Sequence, residues 1–412
     1  LISYFGKAQQ VTIPEGVEII GSKAFVENED LLDVILPESL RSIEDAAFEY
    51  CLNLKRILLP KNVRTIGVQC FYGCESLEEL EIRGEVEVIS KEAFKGCKIK
   101  KLLLPESIVE IDDNAFNSNK HLDSILLPAN VRRIGNSCFA FCSIKHVVLN
   151  DNLQEIGDLC FFDCPIESIT IPSNVKSIGL NPFIGTKAIK CKEKCKYISE
   201  NGLLYDNESG DLISHYSESE VALYPPIKRV GSFAFYNSKA TDIFMGSNID
   251  EVYAWAFYNA HKLERVIWRK SKVTEIPKGC FGNCTKISKI DIPFCVENIH
   301  KGAFFDCYDL RMIRFDRATT TANEEIFSRI ERPTYIPFSY SPRHHLMGST
   351  ICEWTERDVD PSNFPIIEVI VPQGCSDNYS FSPIHNNDLD NEHEYYGYGM
   401  DRQFVVKEDE KE

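Results

Sequence analysis

The stretch Leu54-Lys55-Arg56-Ile57-Leu58-Leu59-Pro60-Lys61-Asn62-Val63-Arg64-Thr65-Ile66-Gly67-Val68-Gln69-Cys70-Phe71-Tyr72-Gly73-Cys74 decides the fold, because its frame returns along most of the chain. Written generally, it is L-x-x-I-x-L-P-x-x-V-x-x-I-G-x-x-A-F-x-x-C. Its anchor is a phenylalanine, at Phe25, Phe48, Phe71, Phe94, Phe116, Phe139, Phe161 and Phe183, then after a gap at Phe235, Phe257, Phe281, Phe304 and Phe327, with 22 to 24 residues between anchors in each run. Five residues before each anchor up to Phe304 stands an aliphatic residue, from Ile20 and Ile43 through to Ile276 and Ile299. Three further back is another, from Val17 and Leu40 through to Val273 and Val296. The residue just before Phe is small, usually Ala or Cys. Fixed self-similarity at this period marks a solenoid, in which units that cannot bury an apolar side alone stack into one continuous core.

Each part of the unit has a physical reading. The I-x-L segment alternates and predicts a short strand. The following Pro removes a backbone donor and ends it. V-x-x-I-G inserts two apolar side chains and turns. A-F-x-x-C is too short for an independent helix and predicts a single helical or 3₁₀ turn that drives Phe inward.

The frame resembles the BspA-like leucine-rich-repeat family of bacterial and protist surface proteins, over roughly residues 10 to 375. The resemblance implies a leucine-rich-repeat solenoid, α/β by repeat type but β-dominated, as a right-handed curved array of about thirteen coils. It also implies adhesion or host contact, and it brings no catalytic residues.

Five regions follow. Residues 1–186 form the first repeat block with its cap, and 187–224 a β-hairpin insertion, read from Tyr197–Tyr205 and Asp211–Tyr216 around a polar loop. Residues 225–327 form the second block. Residues 328–380 hold an irregular, proline-containing stretch and then Ile366–Pro372, expected to cap the open end. Residues 381–412 read as a loosely held tail rich in acid, Tyr and Asn.

Composition narrows the partners. The balance of 45 basic against 62 acidic residues gives a net charge of −17, which disfavours nucleic acid and acidic membrane surfaces. No apolar stretch is long enough for a transmembrane helix. Leu1 to Lys7 does not read as a signal peptide, and without an initial Met the natural start is expected upstream. A monomer is favoured.

Sixteen cysteines raise the question of metals or disulfides. The pairs Cys70/Cys74, Cys138/Cys142, Cys160/Cys164 and Cys280/Cys284 fill two repeat slots, the one before Phe and the one three after it. Cys51, Cys97 and Cys307 share the latter slot with Asn28, Asn119, Thr186 and Ser238. The column therefore asks for a small residue that bonds the turn's backbone, and the thiols are expected to be buried and free. Free thiols suit a reducing, cytoplasmic setting, whereas the family resemblance points to the cell surface. Both remain open.

Off-frame candidates are weaker. Cys191 and Cys195 lie among lysines as a redox or metal pair. His344, His345, Cys352 and Glu353 are a possible chelating group. Asp388 to Glu394 lacks the glycine of a calcium loop. No nucleophile, zinc-helix or phosphate-loop motif is present, so neither enzyme activity, cofactor nor metal is expected.

The remaining signal is a surface. The middle residue of I-x-L faces away from the core, giving Ile35, Leu58, Leu103, Leu126 and Val148 in the first block and Phe244 and Ile267 in the second. Two residues earlier lies a second outward column, including Asp33, Arg56, Lys101, His146, Asp242 and Arg265. An apolar stripe beside mixed charge is the pattern of a protein-binding face. A protein or peptide is expected on this sheet face, which is expected to be concave.

Overall fold

The computed structural model describes residues 1, 3–217, 220–268, 270–317, 322, 324–328, 367–371 and 404–408. These form a β-solenoid of about thirteen coils with almost no helix. By contacts the chain divides into two units, Leu1–Lys196 and one that begins at Tyr197.

In the first unit each coil contributes three segments. The I-x-L segments pair in parallel, as in Arg56–Leu59 with Glu79–Ile82 and Ser124–Leu126 with His146–Val148. Pro60 ends its strand, and its carbonyl then accepts the N–H of Val63 at 3.1 Å, a turn that points Val63 inward. The same bond joins Pro37 to Leu40, Pro128 to Val131 and Pro172 to Val175. The V-x-x-I segment adds a second, narrow parallel ladder of two-residue strands, such as Ser42–Ile43 beside Thr65–Ile66.

The A-F-x-x-C segment differs from the expected helical turn. It is a chain of i→i+3 turns: Ala24 N–H to Gly21 O, Val26 to Lys23 and Asn28 to Phe25. Lys23 and Glu27 have φ of 58° and 57°, and Ala46 and Tyr50 repeat this at 55° and 56°. Positive φ at the third residue is what a type II turn requires. The left-handed residues rotate alternate N–H groups along the solenoid, so Phe25 N–H reaches Ala47 O at 2.7 Å and Phe48 N–H reaches Cys70 O at 2.8 Å. A helix would keep those donors within one coil; here they tie neighbours together. Only at Glu324–Phe327 does a 3₁₀ helix take this place among the described residues.

The anchors form a column. From Phe25 to Phe161 successive rings stack with centroids 4.8 to 5.6 Å apart, and Phe183 follows at 6.3 Å. All are buried. Glycine after the aliphatic anchor permits close turns: a Cβ on Gly135 would lie 2.5 Å from Asp113 N. That approach lets Asp113 Oδ1 accept Asn136 N–H at 2.7 Å, and Asp45 does the same for Val68 at 2.8 Å.

The second unit opens with three antiparallel strands rather than a simple hairpin. Tyr197–Glu200 pairs with Leu203–Asp206, which pairs with Asp211–His215. The long polar loop was visible in the sequence, but Asn201-Gly202 makes a further tight turn. Asp211–His215 then pairs in parallel with Arg229–Val230, so it already acts as a repeat strand. Its last residue, His215, stands where a Phe would: its ring stacks on Phe235 at 5.3 Å and its N–H reaches Ala234 O at 2.7 Å. The column continues through Phe257, Phe281 and Phe304 at 4.9 to 5.4 Å.

The expected capping strand is not the last one. Ile367–Val371 pairs in parallel with Met312–Phe315, and Phe404–Glu408, inside the stretch read as a loose tail, pairs in parallel on its other side. The β-branched pair Val405-Val406 suits a strand, against the acidic composition around it.

Candidate protein-binding face

Alternation along the I-x-L strands fixes the direction of each side chain. In the first unit Ile57, Ile125 and Val147 point into the core, and their neighbours point out. Leu103 and Leu126 are about two-thirds exposed, at 65% and 67%, followed by Val148 at 55%, Ile35 at 48% and Leu58 at 40%. Leu126 and Val148 are direct partners across the parallel pair. Glu81, paired with Leu58, interrupts the row, and Thr170 ends it.

The second column carries charge. Arg56 donates from Nε to Asp33 Oδ1 at 3.0 Å and from Nη2 to Asp33 Oδ2 at 2.7 Å. This guanidinium holds the Asp33 carboxyl below its usual range. Glu79 and Lys101 stand opposite each other across an isolated parallel backbone bridge. The column thus alternates in sign and then turns polar at Ser124 and His146, both exposed.

In the second unit Phe244 lies in register between Ala222 and Ile267, and Phe244 and Ile267 are both half-buried. Asp242 departs from the outward column: it is buried, and Arg265, itself exposed, donates to its carboxylate from Nε. That contact lowers the Asp242 pKa. Beyond Ile267 the apolar row gives way to ions, with Asp291 bonded to Lys289 at 3.3 Å. The first unit therefore holds five of the seven apolar candidates, with Leu126 and Val148 directly paired. The other two form a separate, smaller patch.

Sequence reasoning missed Phe294, which is 68% exposed just after its strand, with the Arg317 guanidinium 5.5 Å from its ring centroid. The signal was available, since Phe294 takes the polar slot after Pro293.

The cysteine column is structural. Seven thiols donate to the Phe carbonyl one coil back, from Cys51 to Phe25 O at 3.1 Å through to Cys307 to Phe281 O at 3.0 Å. Asn119 does the same from its amide at 2.8 Å. Burial pushes the Cys51 and Cys164 thiols up to about 12. Among the described residues no group of three metal-ligating side chains occurs, and no helix is long and apolar enough to cross a membrane. The candidate groups at His344/His345 and at 388–394 lie outside the described residues.

No curated protein matches the chain by sequence. A leucine rich cell surface protein from Faecalibacterium prausnitzii matches in structure with a TM-score of 0.60 at 24% identity, over 76% of this chain and 83% of that one. The pneumococcal vaccine antigen PcpA matches with a TM-score of 0.54 at 19% identity, over 97% and 89%. At these identities the likeness is one of fold. The family model described as the BspA type leucine rich repeat region matches in six copies over residues 3–123, 110–207 and 214–332. With its stacked phenylalanines and paired short strands, the chain belongs to the BspA-type leucine-rich-repeat family.

Proposed function

We propose that this chain is a non-enzymatic protein-binding solenoid of the cell-surface or secreted kind, acting in adhesion or host contact. Its docking face is the row Ile35, Leu58, Leu103, Leu126 and Val148, flanked by Arg56, Lys101 and His146. Phe244, Ile267 and Arg265 form a second patch. The observation that carries this reading is the exposure of Leu103, Leu126 and Val148, each more than half open to water, with Leu126 and Val148 side by side on one parallel strand pair. Burying such side chains yields ~25 cal/mol per Å², and a ladder that is already ordered loses little entropy on binding. The partner that fits is a protein with an apolar ridge and mixed charge at its margins. A leucine rich cell surface protein shares the fold, which is the reason for preferring a surface setting.

A second reading, an intracellular scaffold, is favoured by the thiol column, whose protonated sulfurs bond the Phe carbonyls. Both readings use the same face. The test is binding of the purified chain to immobilised extracellular-matrix and host-cell surface proteins, beside a variant with Leu58, Leu103, Leu126 and Val148 changed to Ser. Saturable binding weakened at least tenfold by the variant supports the surface reading. Binding that the variant leaves unchanged removes this face. Failure of the unaltered chain to bind any surface protein favours the scaffold.

A further inference from the structure

Two cysteines stand apart from the repeat slots. Cys191 ends the strand Ile189–Cys191, which pairs with Ile169–Ile171. Four residues on, the chain has turned back: Cys195 N–H reaches Lys192 O at 3.2 Å, and Lys194 takes a left-handed φ of 62°. The turn is held from outside, with the Cys195 thiol 3.6 Å from Pro172 O and Lys192 paired to Asp151. It folds the chain back between the two cysteines, so that both stand at one tight turn. Both are partly exposed, whereas the repeat-slot thiols are buried.

We infer that Cys191 and Cys195 form a reversible intramolecular disulfide that responds to small-molecule disulfides. The tight turn at Lys192–Cys195 brings the backbone of Cys195 back toward Cys191, and bridging demands such an approach. The step is thiol–disulfide exchange. The Cys195 thiolate attacks one sulfur of the oxidant, a mixed disulfide forms, and one small thiol leaves. The Cys191 sulfur, losing its proton to solvent, then attacks the Cys195 sulfur and displaces the second small thiol. The protein loses two electrons and two protons, and the oxidant gains both. Cys195 is the attacking sulfur, because the neighbouring Cys195 and burial raise the Cys191 pKa and keep that thiol protonated. Lysines 190, 192, 194 and 196 flank the pair in the sequence, and positive charge near a thiol favours the thiolate. Once closed, the bridge pins the end of the Ile189–Cys191 strand to its turn.

The test treats the full chain with oxidised glutathione, blocks remaining thiols with an alkylating agent, and digests with trypsin without reductant. Cleavage after Lys192 and Lys194 separates the two cysteines unless sulfur joins them. The expected result is the fragment Cys191-Lys192 linked to Cys195-Lys196, released by reductant. Glutathione adducts on both cysteines without a linked fragment, or linkage of either one to a different cysteine, would overturn the inference. Two variants separate the roles. Cys191→Ser should trap glutathione on Cys195, and Cys195→Ser should slow modification of Cys191 at least tenfold. Equal rates in the unaltered chain and in Cys195→Ser would remove Cys195 as the attacking sulfur.

Discussion

The Cys74 sulfur lies 3.1 Å from the carbonyl oxygen of Phe48, one coil back, and donates its proton there. The bond repeats through the column and ties each turn to its predecessor at a point that water does not reach. Replacing Cys74 by Ala removes one of the two donors on that carbonyl and leaves the Cys51 N–H at 3.2 Å, and the loss of one such bond costs about 0.5–1.5 kcal/mol. Cys142→Asn should cost less, because Asn119 fills the same slot and donates to both Phe94 O and Phe116 O at 2.8 Å. Urea unfolding of both variants checks the order.

The thiols also set an alkaline limit. Cys51 and Cys164 titrate near 12 in the fold against an ordinary value of 9.0. A raised folded pKa means that the unfolded chain releases its proton first. Their contribution is therefore complete below about pH 9 and lost as pH rises toward 12, at about 1.4 kcal/mol per pH unit for each thiol. Melting temperature between pH 8 and 11 should fall, and fall less steeply in the double variant Cys51→Ala/Cys164→Ala.

His215 sets an acid limit in the second unit. It fills a Phe position, its Nδ1 is 2.8 Å from Ser238 Oγ, and among the described residues nothing bonds its buried Nε2. Burial lowers its pKa from 6.5 to about 4. With a depressed folded pKa, the neutral ring's contribution is complete above about 6.5 and lost as pH falls toward 4, on the order of 3 kcal/mol in all. His215→Phe should flatten the loss of stability between pH 6.5 and 4, read by chemical denaturation across that range.

The ring column carries the core. Phe116 is fully buried between Phe94 and Phe139, with centroids at 5.5 and 5.6 Å. Phe116→Ala should cost about 3–5 kcal/mol, because neighbours fixed on both sides close the cavity poorly. Equilibrium unfolding measures it.

Much of this was legible because a repeat multiplies weak signals. The phenylalanine period gave the stack, and I-x-L alternation gave both the core and the outward row of Leu58, Leu103 and Leu126. The turn form was harder to read. Its left-handed positions hold Lys23, Glu27, Ala46 and Gln69, residues that do not announce positive φ, although Gly73, Gly96, Asn237 and Asn259 in the column two after Phe hint at it. His215 stayed hidden because one substitution in a gap breaks the period that reveals the others. Asp242 read as outward by alternation alone. Its burial depends on Arg265 from the next coil, a contact that no local pattern encodes.

The outward leucines carry the functional reading only if the fold does not need them. The most direct measurement compares the unfolding free energy of Leu126→Ser with that of Ile125→Ser, adjacent residues on opposite faces of one strand. The prediction is a change within about 0.5 kcal/mol for Leu126 and a loss of several kcal/mol for Ile125. A loss at Leu126 comparable to that at Ile125 would show that the row serves the fold and leaves no reason to assign it to a partner.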